Sequence, residues 1–269
     1  MKKVLLATDG KNFSPSAFDF SQKLNALEHI LLTGIFLPSP ELTYSFAGTS
    51  PYVPLIEEYG AASVEPAVEK FLEACVNSGM ECTVHKNLNS FALSELKRET
   101  RFADLMVVPG ENFFDDIKIT GPDETMGNVL HISECPVIII PENAAFPESL
   151  ILTYDGSPSS VFSIKSFACL FPYLCHLPAK LVYCSRKEEA VPEEQNITEL
   201  VNRHFPNLSV EQLEADPKKY LTTWMQGYTK PILIAGAYGR SGFSRLFRQS
   251  FISEVLNEHK IPVFTVHMK

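Results

Sequence analysis

A chain of 269 residues with 45% hydrophobic and 20% charged residues has the composition of a folded globular protein, which excludes a disordered or low-complexity one. Its net charge of −9 is uneven: residues 1–144 carry 10 Lys+Arg against 20 Asp+Glu, and residues 145–269 carry 13 against 12. The acidic first half lacks the basic footprint of general nucleic-acid binding, and no apolar run approaches the roughly 20 residues that span a bilayer.

The first half alternates short apolar strands with amphipathic helices. Residues 3–8 form a strand that ends in Asp9-Gly10. Asp9 cuts this run short with no small-residue cleavage site after it, so Met1-Lys2-Lys3 does not open a signal peptide. A helix over 14–28 starts at Ser14 and brings Ala17, Phe18, Leu24 and Leu27 close to helical spacing. A strand at 30–37 leads into a Pro/Ser/Tyr-rich connection at 38–59. Val64, Val68, Phe71, Leu72 and Cys75 predict a helix over 61–77, with Gly79 closing it. A strand at 81–86, a helix over 91–100 capped by Ser90, a buried strand at 104–109, a helix over 124–131 and a last strand at 137–140 complete the half.

The second half repeats this order. Its strands fall at 150–154, 180–184, 209–214, 231–235 and 263–266, and its helices near 159–172, 194–204, 217–228 and 249–259. Both first strands end in Asp-Gly, at Asp9-Gly10 and Asp155-Gly156, and both last strands open on Pro136-Val137 or Pro262-Val263. The repeat predicts two α/β domains, 1–143 and 148–269, joined by a short linker. Buried strands alternating with helices imply a parallel sheet covered on both faces. Each domain is therefore expected to be Rossmann-like or flavodoxin-like, with a five-stranded parallel sheet of order 3-2-1-4-5. Ligands of such sheets sit beyond the carboxyl ends of the strands where the order reverses. That point carries Asp9-Gly10 and Gly110 in one copy, and Asp155-Gly156 and Gly236 in the other. The last strands, β-branched and at sheet edges, invite pairing. Cys75, Cys82, Cys135, Cys169, Cys175 and Cys184 show no CxxC spacing and sit in apolar segments. They read as buried free thiols of a reducing compartment, the cytoplasm.

The segment richest in chemistry is 234–250. It follows a buried strand, carries Gly236, Gly239 and Gly242, and adds Arg240, Arg245 and Arg248 with Ser241 and Ser250 before a predicted helix. Glycines let a backbone approach a phosphate closely, a helix start offers free N–H groups, and arginines add bidentate donors. An ordinary strand-to-helix turn with a solvated basic face is the competing account. Aligned on the strand-5 prolines, the first copy places Phe113, Phe114, Asp123 and Glu124 where the second has Gly239, Arg240, Gln249 and Ser250. With Asp115 and Asp116, that loop repels phosphate, so no cofactor is expected there.

These motifs together resemble a tandem universal stress protein, with two such domains in one chain. The resemblance covers both halves and rests on Asp155-Gly156-Ser157 after strand 1, on a Gly-x2-Gly-x9-Gly-Ser/Thr loop after strand 4, and on Ile261-Pro262-Val263 at the last strand. It implies a cofactor site for ATP, with magnesium, in the second domain, drawn from Asp155, Gly156, Gly236, Gly239, Arg240 and Ser250. Gln249 stands where that loop has its third glycine. The resemblance also implies that the two halves join as an internal pseudo-dimer through their last strands, and it admits a homodimer.

Other chemistries find no support. Gly10-Lys11 lacks the rest of a P-loop. The seven histidines form no zinc-hydrolase pair, so no metal ligand is assigned. No nucleophile elbow is present, and no catalytic residue is assigned. A receiver domain would need an acceptor Asp after strand 3 in both copies. The function expected is a regulatory or binding role in stress response, in the cytoplasm, away from membrane and nucleic acid. An ATP-binding, weakly hydrolysing switch and a small-molecule sensor using the 38–60 connection are the alternatives.

Overall fold

Val4, Leu5, Leu6 and Ala7 are all almost wholly excluded from solvent, and they face alternately into two separate apolar clusters. That alternation, with both faces buried, defines strand β1 (Lys2–Thr8) and every central strand after it. The computed structural model describes residues 1–8, 12–36, 42–43, 55–56, 64–86, 92–110, 126–184, 190–213, 227–236 and 261–267.

The first half contains β1, helix α1 (Pro15–Leu27), β2 (Ile30–Phe36), a short antiparallel pair β3 (Leu42–Thr43) and β4 (Leu55–Ile56), α2 (Glu65–Ser78), β5 (Cys82–Lys86), α3 (Ala92–Thr100), β6 (Leu105–Pro109), α4 (Met126–Ile132) and β7 (Val137–Ile140). The second contains β8 (Ser149–Tyr154), α5 (Pro158–Leu170), β9 (Ala179–Cys184), α6 (Glu194–His204), β10 (Leu208–Leu213), β11 (Pro231–Gly236) and β12 (Val263–Val266). Helix starts follow local chemistry. Ser14 Oγ accepts the Ala17 N–H at 3.3 Å, with Pro15 in the first turn. Gly79 ends α2 at φ 67°, in the left-handed region that favours glycine.

The strand order β10-β9-β8-β11-β12-β7-β6-β1-β2-β5 gives each half the expected 3-2-1-4-5. The five strands of each half are continuous with those of the other in one ten-stranded sheet. In this sheet all pairings within a half are parallel, and the halves join where β12 runs antiparallel to β7, with Val263 opposite Ile139, Phe264 opposite Ile138 and Thr265 opposite Val137. The last strand of each half, at the edge of its own five strands, thus lies at the centre of the whole sheet, because rows of N–H and C=O on buried strands are satisfied only by pairing. Helices α1, α2, α5 and α6 cover one face over a core that runs through both halves; α3 and α4 pack against the other face.

Three further readings change. Cys75 and Cys82 are joined by a disulfide between α2 and β5 and are not free thiols, and Cys169 is exposed, whereas Cys135 and Cys175 are buried free thiols. A short 3-10 turn, Leu174–His176, follows α5. Of the helix predicted over 217–228, Gly227 and Tyr228 lie in non-helical chain and the remainder falls outside the described residues, as do Ser90 and the helix predicted over 249–259. Among the described residues no helix is long and apolar enough to cross a membrane.

At the seam, the Thr265 hydroxyl is buried with no hydrogen-bond partner among the described residues. Leaving a buried hydroxyl unsatisfied costs about 1–3 kcal/mol. Thr265→Val keeps the shape and removes that cost, so it should raise the urea midpoint by an amount worth about 1 kcal/mol at unchanged m-value. A lower midpoint would contradict this account of the seam.

Candidate functional site

The carboxyl end of β8 is a compact set of local hydrogen bonds. Asp155 Oδ1 accepts the Ser157 N–H at 2.9 Å, the Asx-turn that Asp forms two residues ahead. Gly156 then takes φ +76°, Ser157 caps α5 by accepting the Ser160 N–H at 3.2 Å, and Pro158 occupies the first helical turn. The Ser160 hydroxyl donates back to the Ser157 carbonyl at 2.8 Å. Asp-Gly-Ser-Pro is thus a complete helix-entry device before any ligand is considered.

Each glycine at this corner faces protein. A Cβ on Gly156 would lie 2.8 Å from Pro192 Cβ and 3.0 Å from its Cγ. One on Gly236 would lie 2.6 Å from Ser160 N and 2.7 Å from the Ser159 carbonyl carbon. The end of β11 therefore presses on the first turn of α5, and Thr153 Oγ1 fastens the two strands by donating to the Ile234 carbonyl at 3.0 Å. Sequence reasoning missed the 190–193 segment. The Tyr154 hydroxyl donates to the Pro192 carbonyl at 2.8 Å, and Glu193 stands at φ 47° before α6. Burial, followed by the Glu193 and Asp155 carboxylates and by Tyr183, raises the Tyr154 phenol above its ordinary value. The signal available was Val191-Pro192 between an apolar strand and a helix, too short to distinguish from any other turn.

The structure brings Asp155, Gly156 and Gly236 to one corner between β8 and β11. Gly239, Arg240 and Ser250 lie outside the described residues, as do Ser241, Gly242, Arg245, Arg248 and Gln249. In the first half Asp9, Gly10 and the acidic loop with Asp115, Asp116, Asp123 and Glu124 also lie outside them. Gly110 is described, and it packs differently from Gly236. Its N–H donates to the Ile140 carbonyl at 2.7 Å, and a Cβ there would meet Pro141 Cα at 3.1 Å. Among the described residues no group of three or more His, Cys, Asp or Glu could hold a metal. What this part of the corner offers chemically is a helix start, two serine hydroxyls and two carboxylates, suited to hydrogen-bonding a polar ligand.

No protein-family model matches this chain, and no curated protein matches it. Solved structures do. A universal stress protein from Archaeoglobus fulgidus superposes with a TM-score of 0.68 over 99% of this chain and 96% of its own, at 13% identity. The chain has the universal stress protein fold. A putative universal stress protein from Pseudomonas aeruginosa follows at TM-score 0.55 and 11% identity, over 99% and 93% of the two chains. A functionally unknown protein from the same species gives 0.55 and 10%, over 99% and 92%.

Two outcomes follow from the corner. Gly236→Ala should cost about 1–3 kcal/mol by overpacking the start of α5, read as a lower urea midpoint without any ligand; an unchanged midpoint would refute the contact. The raised Tyr154 phenol means folding favours its neutral form. Its contribution is complete below the ordinary value of 10.0 and is lost as pH rises through the folded-state value. Tyr154→Phe should therefore flatten the loss of stability above pH ~10 while costing about 1 kcal/mol at neutral pH.

Proposed function

We propose that this chain is a tandem universal stress protein with a regulatory, ligand-binding role in stress response and no dedicated catalytic chemistry. The observation that carries this reading is a superposition that runs through 99% of the chain on a universal stress protein. Identity of 13% is too low to carry function by itself, so the argument rests on how the site is built. The glycines that a nucleotide would need for close approach already serve internal contacts, Gly156 with Pro192 and Gly236 with α5. Asp155 is committed to the turn through Ser157. A protein that recognises a partner or a small polar ligand fits this corner better than one that grips a triphosphate through bare backbone.

The second reading is an ATP-binding, weakly hydrolysing switch in the second half. It is favoured by the α5 start beside the end of β11, with Asp155, Gly156 and Gly236 meeting there. In that reading Gly239, Arg240 and Ser250 supply the phosphate contacts and magnesium accompanies the nucleotide. We place either role in the cytoplasm, where the reducing poise would hold Cys75 and Cys82 as thiols and the bond between them would mark the oxidised form.

Calorimetric titration of the intact chain with ATP and magnesium separates the readings. The regulatory reading expects no saturable heat at millimolar ATP. The switch expects binding that Arg240→Ala weakens about tenfold or more, as loss of a charge-assisted phosphate contact does. Gly236 variants are unsuitable for this test, because they disturb α5 directly.

A further inference from the structure

The antiparallel seam relates the two halves, so a surface beside it has a counterpart on the other side. On one side the linker occupies that surface. Leaving β7 at Pro141, it passes α1, where the Asn143 N–H donates to Ser16 Oγ at 3.0 Å, and sets the Phe146 ring 5.0 Å from Phe20. It reaches the start of β11, where the Glu148 N–H donates to the Lys230 carbonyl at 2.9 Å and the Glu148 carboxylate pairs with the Lys230 ammonium.

The counterpart path starts at His267, which follows β12 as Pro141 follows β7. It passes α5, the counterpart of α1, and ends at Asp104, which precedes β6 as Lys230 precedes β11. Along it lies a groove of about 670 Å³, lined by residues of both halves. Phe162, Leu170 and Val266 provide its apolar surface, Cys169 an exposed thiol. Phe162 is 39% exposed, and among the described residues no chain crosses the groove as the linker crosses its mate.

The charges are reversed between the two sides. The linker carries Glu142 and Glu148, Glu148 pairs with Lys230, and Lys260 comes two residues before Pro262 in the sequence. The corresponding positions of the open groove are Asp104 and Glu134. Glu134 is paired with Arg101, whereas the hydrogen bond to Asp104 among the described residues comes from a neutral amide, the Lys3 N–H at 2.8 Å.

We propose that this groove binds an extended, basic segment of a partner protein, lying along α5 as the linker lies along α1, with an aromatic side chain against Phe162 and a Lys or Arg toward Asp104. Its size is that of a specific ligand pocket. The binding is independent of any nucleotide in the corner between β8 and β11.

The test uses the intact chain and two labelled octapeptides. One has the linker sequence 141–148, the other the same sequence with lysine in place of Glu142 and Glu148. Fluorescence anisotropy should show saturable binding of the lysine peptide and about tenfold weaker binding of the unaltered one. Asp104→Asn, which keeps an acceptor for the Lys3 N–H, should weaken the lysine peptide severalfold. The bound peptide should slow alkylation of Cys169, followed by peptide mass spectrometry, and leave Cys175, buried outside the groove, unaffected. Equal binding of the two peptides, no binding, or no protection of Cys169 overturns the proposal. A concentration-dependent dimer that protects Cys169 without peptide also overturns it and assigns the groove to a second copy.

Discussion

The antiparallel pairing of β7 with β12 governs the rest of this molecule. Each strand is four buried residues long, and neither could stay at an edge without exposing an apolar, β-branched row of unpaired backbone. Joining them moves the true edges to β5 and β10, whose residues are mostly polar and partly exposed. It also makes the core continuous. Phe264 of β12 meets Phe167 and Phe171 at ring distances of 5.2 and 6.0 Å, and it shares one cluster with Ile138 of β7 and Leu6 of β1. The halves are alike in strand order, yet they are held as one body by hydrogen bonds and packing that neither possesses alone.

The same pairing sends the carboxyl ends of the two half-sheets in opposite directions. The corner at Asp155 and the corner at Thr8 therefore open at opposite ends of the sheet and do not cooperate through contact. They also differ in construction. In the second half the helix cap, Ser157, comes two residues after Asp155; in the first, Ser14 comes five after Asp9. The tighter entry brings the first turn of α5 against Gly236, whereas Gly110 rests on the end of β7. Glycines that align in sequence thus answer to different neighbours. A glycine between a strand and a helix has two explanations, a ligand's backbone contact and the chain's own packing, and only coordinates tell them apart.

The alternation of apolar runs with helical stripes made the strand order legible, because a buried parallel strand needs continuous hydrophobicity and a helix on each side. Two helix ends were legible too: Ser14 and Gly79 act through bonds to residues a few positions away. Long-range features were not. The joining of the halves followed only from the family resemblance, because periodicity does not say which edges meet. The Cys75–Cys82 bond depends on α2 ending beside β5, although their spacing of seven residues gave no such sign. The site was legible only in its local half, the turn at 155–157. The Pro192 contact with Gly156 links residues far apart in sequence, and no periodicity encodes it.

Two like halves carry two copies of every surface beside their seam, but one linker crosses only one of them. The cost of covering the first groove falls on residues 141–148, which contribute Phe146 to the core and an ion pair at Lys230. The second groove is lined by Phe162, Leu170 and Val266, and carries Asp104 where the first side has Lys230. If the second surface had no role, its positions could have become polar throughout at little cost, because exposed side chains away from packing contribute little to stability. Instead Phe162, Leu170 and Val266 remain beside Asp104. An apolar floor next to a carboxylate that accepts a neutral amide is the pattern of an interface that selects its partner by charge and holds it by burial.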